Sequence, residues 1–299
     1  MIPLNYLYPW TKGSPDEQKL RMREFAECGA RNLVLSSDLL GEGCRDMGYL
    51  IAFYRTMREF GLEFVDSHAL WGTWSDPGMP LSEWKEPLLL RHRTAFRFCQ
   101  RFGVHTMAFH TGNTFNSIFG AGLTLADYRK SLVDSLEILL PEAEKCGVVI
   151  ALENQWTPLN HSRVLLEIME YFRSPNLGLC YDSGHGNLME KGSQFPGKTV
   201  VPPIWNELGA PVEWEELLPE KFAQWMVNCH LHDNNGVSDQ HLPPGDGTVD
   251  WERIRQVLRR SPHLQNIQNE SSLRGRSIAE FCRSFRDQFG DLPTFGAEK

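Results

Sequence analysis

The sequence of 299 residues is 41% hydrophobic and 23% charged, and its formal net charge is −8 at pH 7. A chain of this length and composition buries a large core, and one α/β barrel can use all of it. We therefore expect a single domain over residues 1–299. The negative total argues against a surface that collects polyanions, although charge alone does not exclude a nucleic-acid substrate.

The sequence contains no run of about 18 consecutive apolar residues that could span a bilayer. Its first residues lack the basic-then-apolar pattern of a signal peptide. These observations predict a cytoplasmic protein with no membrane partner. The seven cysteines are scattered, odd in number and without a Cys-x-x-Cys pair, which favours reduced structural thiols over disulfides or a thiolate metal site.

Short apolar runs rich in β-branched and aromatic residues alternate with longer segments of helical period, which is typical of repeated βα units. The predicted strands are Ile2–Tyr8, Asn32–Ser36, Glu63–Ser67, Thr106–Phe109, Val148–Leu152, Leu177–Tyr181, Val227–Leu231 and Asn266–Asn269. The pattern therefore predicts the α/β class and, within it, a (β/α)8 TIM barrel.

Helix signals fall between these strands. Ser14–Glu17 and Ser277–Glu280 have the residues of a capping box at a helix start. Leucine and isoleucine stripes predict helices over Leu125–Leu140 and Val249–Arg260. We interpret these stripes as core packing without a functional role.

The least regular stretch is Leu188–Pro219, where several prolines interrupt any long helix. Trp205 and Trp214 are expected to expose aromatic area there. After the sixth strand, such a loop lies over the barrel mouth as a lid or substrate wall. A surface excursion or an oligomer contact is an equally good interpretation.

A titratable residue follows six of the predicted strands. These residues are His68, His110, Glu153, Asp182, His230 and Glu270. A polar residue at the end of a barrel strand projects into the mouth, where such folds keep their active sites. A lone histidine is more often a structural residue than a ligand, but six coincidences favour a metal site. Imidazole and carboxylate without thiolate suit zinc, manganese, magnesium, cobalt or iron.

Two compact clusters add to this pattern. They are Asp182-Ser-Gly-His185 and His230-Leu-His232-Asp233, the second followed by Asp239-Gln-His241. We interpret Asp233 as a turn former or as a residue that orients the ligands. His232 has the opposite strand parity from His230, so we expect it to point toward the helices or the rim and to be a weaker ligand candidate.

With these motifs the sequence resembles the xylose isomerase-like barrel superfamily, which includes sugar isomerases and epimerases, inosose dehydratase-like enzymes and endonuclease IV-type apurinic endonucleases. The resemblance covers nearly the whole chain. It rests on Ala-Leu-Glu153-Asn, Asp182-Ser-Gly-His185-Gly-Asn, His230-Leu-His232-Asp233-Asn, Asp239-Gln-His241-Leu-Pro-Pro-Gly-Asp-Gly and Asn269-Glu270.

Resemblance to the epimerase branch implies one divalent metal held by Glu153, Asp182, His230 and Glu270, with His185 touching the substrate. Glu153 and Glu270 would face opposite sides of a keto-sugar, one removing a proton from carbon and the other returning it. A carbon acid beside a carbonyl is too weak to ionise unaided, so this chemistry needs both a polarising metal and a placed carboxylate. A buried ion pair of either glutamate with an arginine such as Arg274 is the structural alternative.

Resemblance to the endonuclease branch implies three metals, a centre suited to phosphodiester cleavage. The implied ligands are His68, His110 and Glu153 for the first metal, Glu153, Asp182, His230 and Glu270 for the second, and His185, Asp239 and His241 for the third.

The loops expected at the mouth favour a sugar. They carry Trp71, Trp74, Phe115 and Trp156 and almost no lysine or arginine, whereas a nucleic-acid enzyme needs a basic phosphate track. Aromatic rings cover the apolar faces of sugars, and polar groups bind their hydroxyls. Arg274 is a further candidate, as a contact for a phosphate or carboxylate.

We therefore predict a metal-dependent sugar or polyol isomerase/epimerase with a small-molecule substrate. A multi-metal phosphodiesterase similar to apurinic endonucleases is the alternative, and a non-catalytic sugar sensor is a third interpretation. Dehydration stays open, because it begins with the same proton abstraction. The helix-rich surface also suits a homo-oligomer.

Overall fold

The computed structural model describes residues 1–112 and 122–293. Within them, parallel strands close into one barrel in sequence order, and the first strand pairs with the last. The strands are β1 (Leu4–Tyr6), β2 (Asn32–Leu35), β3 (Glu63–His68), β4 (Thr106–Phe109), β5 (Val149–Glu153), β6 (Leu177–Asp182), β7 (Met226–Leu231) and β8 (Asn266–Asn269). The predicted (β/α)8 TIM barrel is confirmed.

Helices connect the strands and surround the barrel. In the described residues they are α1 (Pro15–Glu27), α2 (Ser37–Arg45), α3 (Met47–Glu59), α4 (Ser82–Phe102), α5 (Leu125–Lys145), α6 (Ser162–Phe172), α7 (Ser183–Lys191), α8 (Val201–Glu207), α9 (Leu218–Phe222), α10 (Trp251–Leu258) and α11 (Ile278–Phe289). None of these helices has the length and apolarity needed to cross a membrane.

The strands place alternate side chains on the two faces of the barrel wall. Phe109, Leu152 and Tyr181 join the large apolar core shared with the helices. Ala108 and Ala151 lie in a separate small cluster. Because the outward positions fill the main core, the inward positions are free to carry polar groups.

A hydrogen-bonded polar group, here called the interior network, occupies the barrel below the mouth. Asn5 donates to Asn266 at 3.0 Å, and Asn266 donates to Thr106 at 2.7 Å. Thr106 and Asn228 donate to the two oxygens of Asp66 at 2.6 and 3.0 Å. All five side chains are buried, in a layer that branched apolar residues usually fill.

The two predicted capping boxes are confirmed, whereas the helix predicted over Val249–Arg260 is shorter and spans Trp251–Leu258. Ser14 and Ser277 each cap a helix through a complete capping box. The helix predicted to stop at Leu140 continues through Pro141 to Lys145. Leu140 and Ala143 are buried on either side of this proline, so their packing outweighs the hydrogen bond lost there.

The segment after β6 contains only short helices, as its prolines predict. The expectation that Trp205 is exposed is wrong, because only 2% of it is exposed. It packs with Leu188, Met189 and Val201, and its indole donates to the Trp156 carbonyl at 3.0 Å. Tertiary packing has buried an aromatic residue that a proline-rich sequence suggested would be free.

Candidate metal centre

The strand-end residues predicted from the sequence converge at the barrel mouth. We call His68, His110, Glu153, Asp182, His230 and Glu270 the mouth cluster. The first five lie in or directly after β3 to β7, and Glu270 follows β8. Parallel strands end at the same side of the barrel, so residues distant in sequence become neighbours there.

Glu153 is the centre of the mouth cluster and is fully buried. Its Oε1 lies 3.0 Å from His110 Nε2 and 3.3 Å from His185 Nδ1. Its Oε2 lies 3.0 Å from His230 Nδ1. The Nε2 atoms of His68 and His110 are 3.1 Å apart. One carboxylate therefore lies between imidazoles from several strands.

Glu270, which follows the neighbouring strand β8, approaches the same imidazole. Its Oε2 lies 2.9 Å from His230 Nδ1. One ligand atom from each of Glu153, Asp182, His230 and Glu270 falls within 4.8 Å of the others. Three carboxylates and one imidazole at this spacing are suited to a single divalent cation.

A second set of possible ligands, here called the rim group, lies beside Asp182. It consists of His185, His232, Asp239 and His241. Asp239 Oδ2 lies 3.0 Å from His241 Nε2 and 3.6 Å from His185 Nε2. His232 stacks on His241 with ring centres 4.0 Å apart. Asp239, one of the three predicted ligands of a third metal, thus lies near the other two, His185 and His241.

His232 lies in the rim group, which agrees with one of its two expected orientations, and it is close to the carboxylates of Asp182 and Asp239. Its imidazole is fully buried and its Nε2 lies 3.1 Å from Asp182 Oδ2. Strand β7 ends at Leu231, so strand alternation no longer applies to the next residue. The Ser183 hydroxyl accepts from the His232 amide and donates to its carbonyl, which fixes the turn.

Gly184 is the sequence signal that could have located His232. A Cβ atom at Gly184 would lie 2.0 Å from the His232 ring. Only glycine leaves room for the imidazole at that position. The glycine next to His185 in the Asp182-Ser-Gly-His185 motif therefore provides the space that the His232 ring occupies in the rim group.

Asp233 organises the loop that carries the rim group. Its carboxylate accepts hydrogen bonds from the amides of Gly245 and Val249 at 3.0 Å and from the indole of Trp251 at 2.8 Å. These contacts agree with its interpretation as a residue that shapes the loop.

Backbone carbonyls orient several of the imidazoles. His68 Nδ1 donates to the Ala69 carbonyl at 2.9 Å, and His185 Nδ1 donates to the Asn154 carbonyl at 2.9 Å. His241 Nδ1 donates to the Glu270 carbonyl at 2.8 Å. A proton held on Nδ1 leaves the lone pair on Nε2 free to coordinate. This arrangement is the usual one for histidine ligands of metals.

Buried polar atoms of both groups fit a bound cation. Those without a hydrogen-bond partner among the described residues include Glu153 Oε2, Glu270 Oε2, His230 Nδ1, His232 Nδ1 and Asp239 Oδ1. Leaving such atoms unsatisfied in the interior is costly. A divalent cation would satisfy the carboxylate oxygens together.

The two glutamates of the mouth cluster are held in their ionised form. Burial opposes ionisation of Glu153, but the His110 and His230 imidazoles hold its pKa well below the usual value. Burial also opposes ionisation of Glu270, and His230 again lowers the pKa. In the described residues both glutamates pair with histidines and neither pairs with arginine, so the arginine ion pair is not formed.

A cavity of about 500 Å³ opens above the mouth cluster, and we call it the inner cavity. Trp71, Trp156 and His185, all predicted substrate contacts, line it together with Ile204 of α8 and Leu208, which directly follows α8. Helix α8 therefore forms a wall of the mouth, as the wall interpretation of its segment expects.

The remaining predicted substrate contacts are Phe115 and Arg274. Phe115 is outside the described residues. The structure does not bring Arg274 to the inner cavity, because its guanidinium donates to the Gln240 carbonyl on the surface. Arg276 pairs with Asp246. Neither arginine is placed to bind a ligand at the mouth cluster.

The chain belongs to the family described as Xylose isomerase-like TIM barrel, whose model matches residues 42–267. This match confirms the resemblance inferred from the motifs.

Two curated relatives share part of the chain. The uncharacterized protein y4fM of Sinorhizobium fredii is 30% identical over 99 residues, which is 33% of this chain and 25% of the relative. The uncharacterized protein MJ1311 of Methanocaldococcus jannaschii is 28% identical over 146 residues, 45% of this chain and 42% of the relative. The matches thus span less than half of either relative.

Solved structures show the same barrel. A D-tagatose 3-epimerase-like protein has a TM-score of 0.69 at 17% identity, with 97% of this chain and 98% of that chain covered. The IOLI protein with a bound zinc atom gives 0.65 at 17%, with 98% of each covered. The family 2 AP endonuclease of Brucella melitensis gives 0.66 at 14%, with 96% and 99% covered. At these identities the likeness concerns the fold.

Proposed function

We propose that the protein is a metal-dependent sugar or polyol isomerase/epimerase. One observation carries this proposal: two buried carboxylates, Glu153 and Glu270, come within 3.0 and 2.9 Å of the same nitrogen of His230 at the floor of a cavity. Proton removal and proton return at one carbon need two such bases beside one cation.

The chemistry follows from the positions of these groups. A divalent cation held by Glu153, Asp182, His230 and Glu270 would polarise a substrate carbonyl. Glu153 and Glu270 are the residues that take and return the proton on carbon. His185 is placed to hydrogen-bond a substrate hydroxyl, while Trp71 and Trp156 exclude water and cover the sugar faces.

Solved structures with the same fold support this proposal. One similar structure is a D-tagatose 3-epimerase-like protein and another binds zinc. The imidazole and carboxylate donors of this chain suit zinc, manganese, magnesium, cobalt or iron. We propose a small-molecule sugar or polyol as the partner, with no membrane or nucleic acid, and residues 1–299 as one domain.

A second candidate is a multi-metal phosphodiesterase. The complete set of possible ligands favours it, since the rim group and the pair His68 and His110 add donors beyond the four needed for one cation. The residues that line the inner cavity include no lysine or arginine in the described chain, which is unfavourable for a phosphate backbone.

Elemental analysis of metal per chain distinguishes the two candidates. Protein purified without chelator would be compared with His68→Ala, His241→Ala and the control His105→Ala, an exposed histidine at the start of β4. We expect about one metal per chain that survives all three substitutions. About three metals, reduced by the first two substitutions and not by the control, would support the phosphodiesterase instead.

Proton exchange tests the reaction itself. A ketose incubated with the metal-loaded protein in D₂O should gain one deuterium at the carbon beside the carbonyl, which mass spectrometry detects. Cleavage of abasic DNA without any exchange into ketoses or polyol-derived ketones would contradict the proposal.

A further inference from the structure

A wider depression lies beside the inner cavity, and we call it the outer groove. Its volume is about 850 Å³, compared with about 500 Å³ for the inner cavity. Ser37, Asp38 and Trp71 line both spaces. The two spaces therefore meet at these residues, and a ligand longer than one sugar ring can extend from the metal centre into the outer groove.

The outer groove exposes two aromatic side chains on one lining. Trp71 is 59% exposed and Trp74 is 56% exposed, with the exposed Leu90 on the same lining. Neither tryptophan belongs to the apolar core. Single exposed apolar residues are ordinary, but a contiguous patch rimmed by polar groups marks a binding site.

The exposed ring of Trp74 is held in place. Trp84 packs against it edge to face, with ring centres 4.3 Å apart. The Arg91 guanidinium lies 5.8 Å from the ring centre and donates to the Trp74 carbonyl at 3.0 Å. A ring fixed before the ligand arrives loses little conformational entropy on binding.

Buried polar contacts anchor the segment that follows Trp74. The hydroxyls of Ser131 and Ser135 on α5 donate to the carbonyls of Met79 and Pro77 at 2.6 and 2.5 Å. The Lys85 ammonium donates to both hydroxyls at 2.6 and 2.7 Å. A surface loop without function does not require an anchor of this kind, whereas a binding surface benefits from a rigid support.

Charge on the two linings selects an uncharged ligand. In the outer groove Arg45 pairs with Glu42 at 2.5 Å, and Arg91 is engaged by Trp74. The described lining of the inner cavity contains no lysine or arginine. In the inner cavity a phosphorylated sugar would therefore find no arginine or lysine among the described residues, whereas sugar hydroxyls can bond to Asp38 and Ser37, which line both spaces.

We infer that the outer groove is a second sugar-binding site and that the protein takes an uncharged glycoside. The reacting ring lies at the metal centre, and the attached ring stacks on Trp71 and Trp74. The identity of the reacting ring rests on the proposed function. The second site is inferred only from the residues that line the outer groove.

Calorimetric binding to the full chain tests the second site. The probes are D-fructose and two glucosyl-fructose disaccharides, turanose and palatinose. We expect at least one disaccharide to bind about ten-fold more tightly than fructose. Trp74→Ala should reduce this ratio about five-fold, the order expected for one aromatic contact. Tyr171→Ala, an exposed aromatic on α6 outside both spaces, is the matched control and should leave the ratio unchanged.

Other outcomes would overturn the inference. It fails if neither disaccharide binds more tightly than fructose, or if Tyr171→Ala lowers the ratio as much as Trp74→Ala. It also fails if Trp74→Ala converts a dimer into monomers in light scattering without changing the ratio, since the patch is then a subunit contact. Thermal unfolding of each variant checks that it is folded.

The two proposals fail separately. If fructose exchanges its proton in D₂O but no disaccharide binds, only the second site is refuted. A disaccharide that binds through Trp74 without any exchange would refute the isomerase/epimerase proposal alone.

Discussion

The barrel carries two buried polar groups, and the carboxylates in them differ in how their oxygens are satisfied. In the interior network, both oxygens of Asp66 accept hydrogen bonds from the neutral donors Thr106 and Asn228. In the mouth cluster, Glu153 Oε2 and Glu270 Oε2 are buried without hydrogen-bond partners among the described residues. Polar residues inside a barrel therefore do not define a site by themselves.

The difference separates a structural role from a ligand-binding role. A carboxyl group surrounded by hydroxyl and amide donors is complete within the protein. Carboxylates that face imidazoles without completing hydrogen bonds fit a bound cation. Substitutions in the mouth cluster should change metal binding and activity, and those in the interior network should change stability.

The largest effect is expected for Glu153→Gln. The substitution removes one charge from the centre of the mouth cluster and one of the two proposed bases. Deuterium exchange into a ketose should fall by about three orders of magnitude, and bound metal should decrease. Equal exchange rates for the variant and the unmodified protein would show that Glu153 has no such role.

Asp66→Ala should act on stability instead. It leaves the Thr106 hydroxyl and the Asn228 amide without their acceptor in the barrel interior, at a cost of roughly 2–4 kcal/mol in the free energy of unfolding. Urea denaturation measures this change. Metal content per chain is the contrasting measurement and should remain unchanged; its loss would place Asp66 among the groups that hold the cation.

The pH dependence of the free energy of unfolding tests the ionisation of Asp66 without a substitution. Burial raises the pKa of its carboxyl to about 6, above its value in the unfolded chain. Because this pKa is raised in the folded protein, the protonated Asp66 carboxyl contributes fully to the free energy of unfolding below about pH 4. That contribution is lost as the pH rises through about 6. The loss should amount to roughly 2–3 kcal/mol.

Asp66→Asn is the matched variant for that experiment. It keeps the shape of the side chain and cannot ionise. The difference in unfolding free energy between the unmodified protein and this variant should change between pH 4 and pH 7, measured in metal-free protein. A difference that stays constant over this range would contradict the raised pKa.

The smallest of these effects is expected for Gly184→Ala. The added methyl group overlaps the His232 ring at 2.0 Å, so the ring must move away from Asp182. Metal affinity measured by competition with a chelator should fall about ten-fold, as for other residues that orient ligands. The control is Gly13→Ala, where the added atom meets Glu17 at an ordinary 3.5 Å.

Residue patterns were sufficient for the strands and for the position of the mouth cluster. Apolar runs of strand length end at titratable residues, and a parallel barrel gathers all strand ends at one mouth. The start of β1 differs by two residues, because Ile2 is apolar and buried without belonging to the ladder. A local apolar pattern indicates which residues are buried, but it does not indicate which of them form the hydrogen bonds of a strand.

Features that depend on packing between distant segments were not predictable in this way. His232 turns toward Asp182 because Ser183 bridges its backbone and Gly184 leaves space for its ring. The interior network likewise joins Asn5 to Asn266 across nearly the whole sequence. Periodicity within one element contains no information on such partners.

The carbonyls that hold His68, His185 and His241 make the orientation of these rings a property of the main chain. A side-chain substitution cannot delete a peptide oxygen, so replacing Ala69 or Asn154 leaves an acceptor at the same place. The tautomers needed for coordination are therefore inherited with the fold itself. Substitution of the side chains at Ala69 and Asn154 should therefore leave the imidazoles of His68 and His185 presenting the same nitrogen to the mouth.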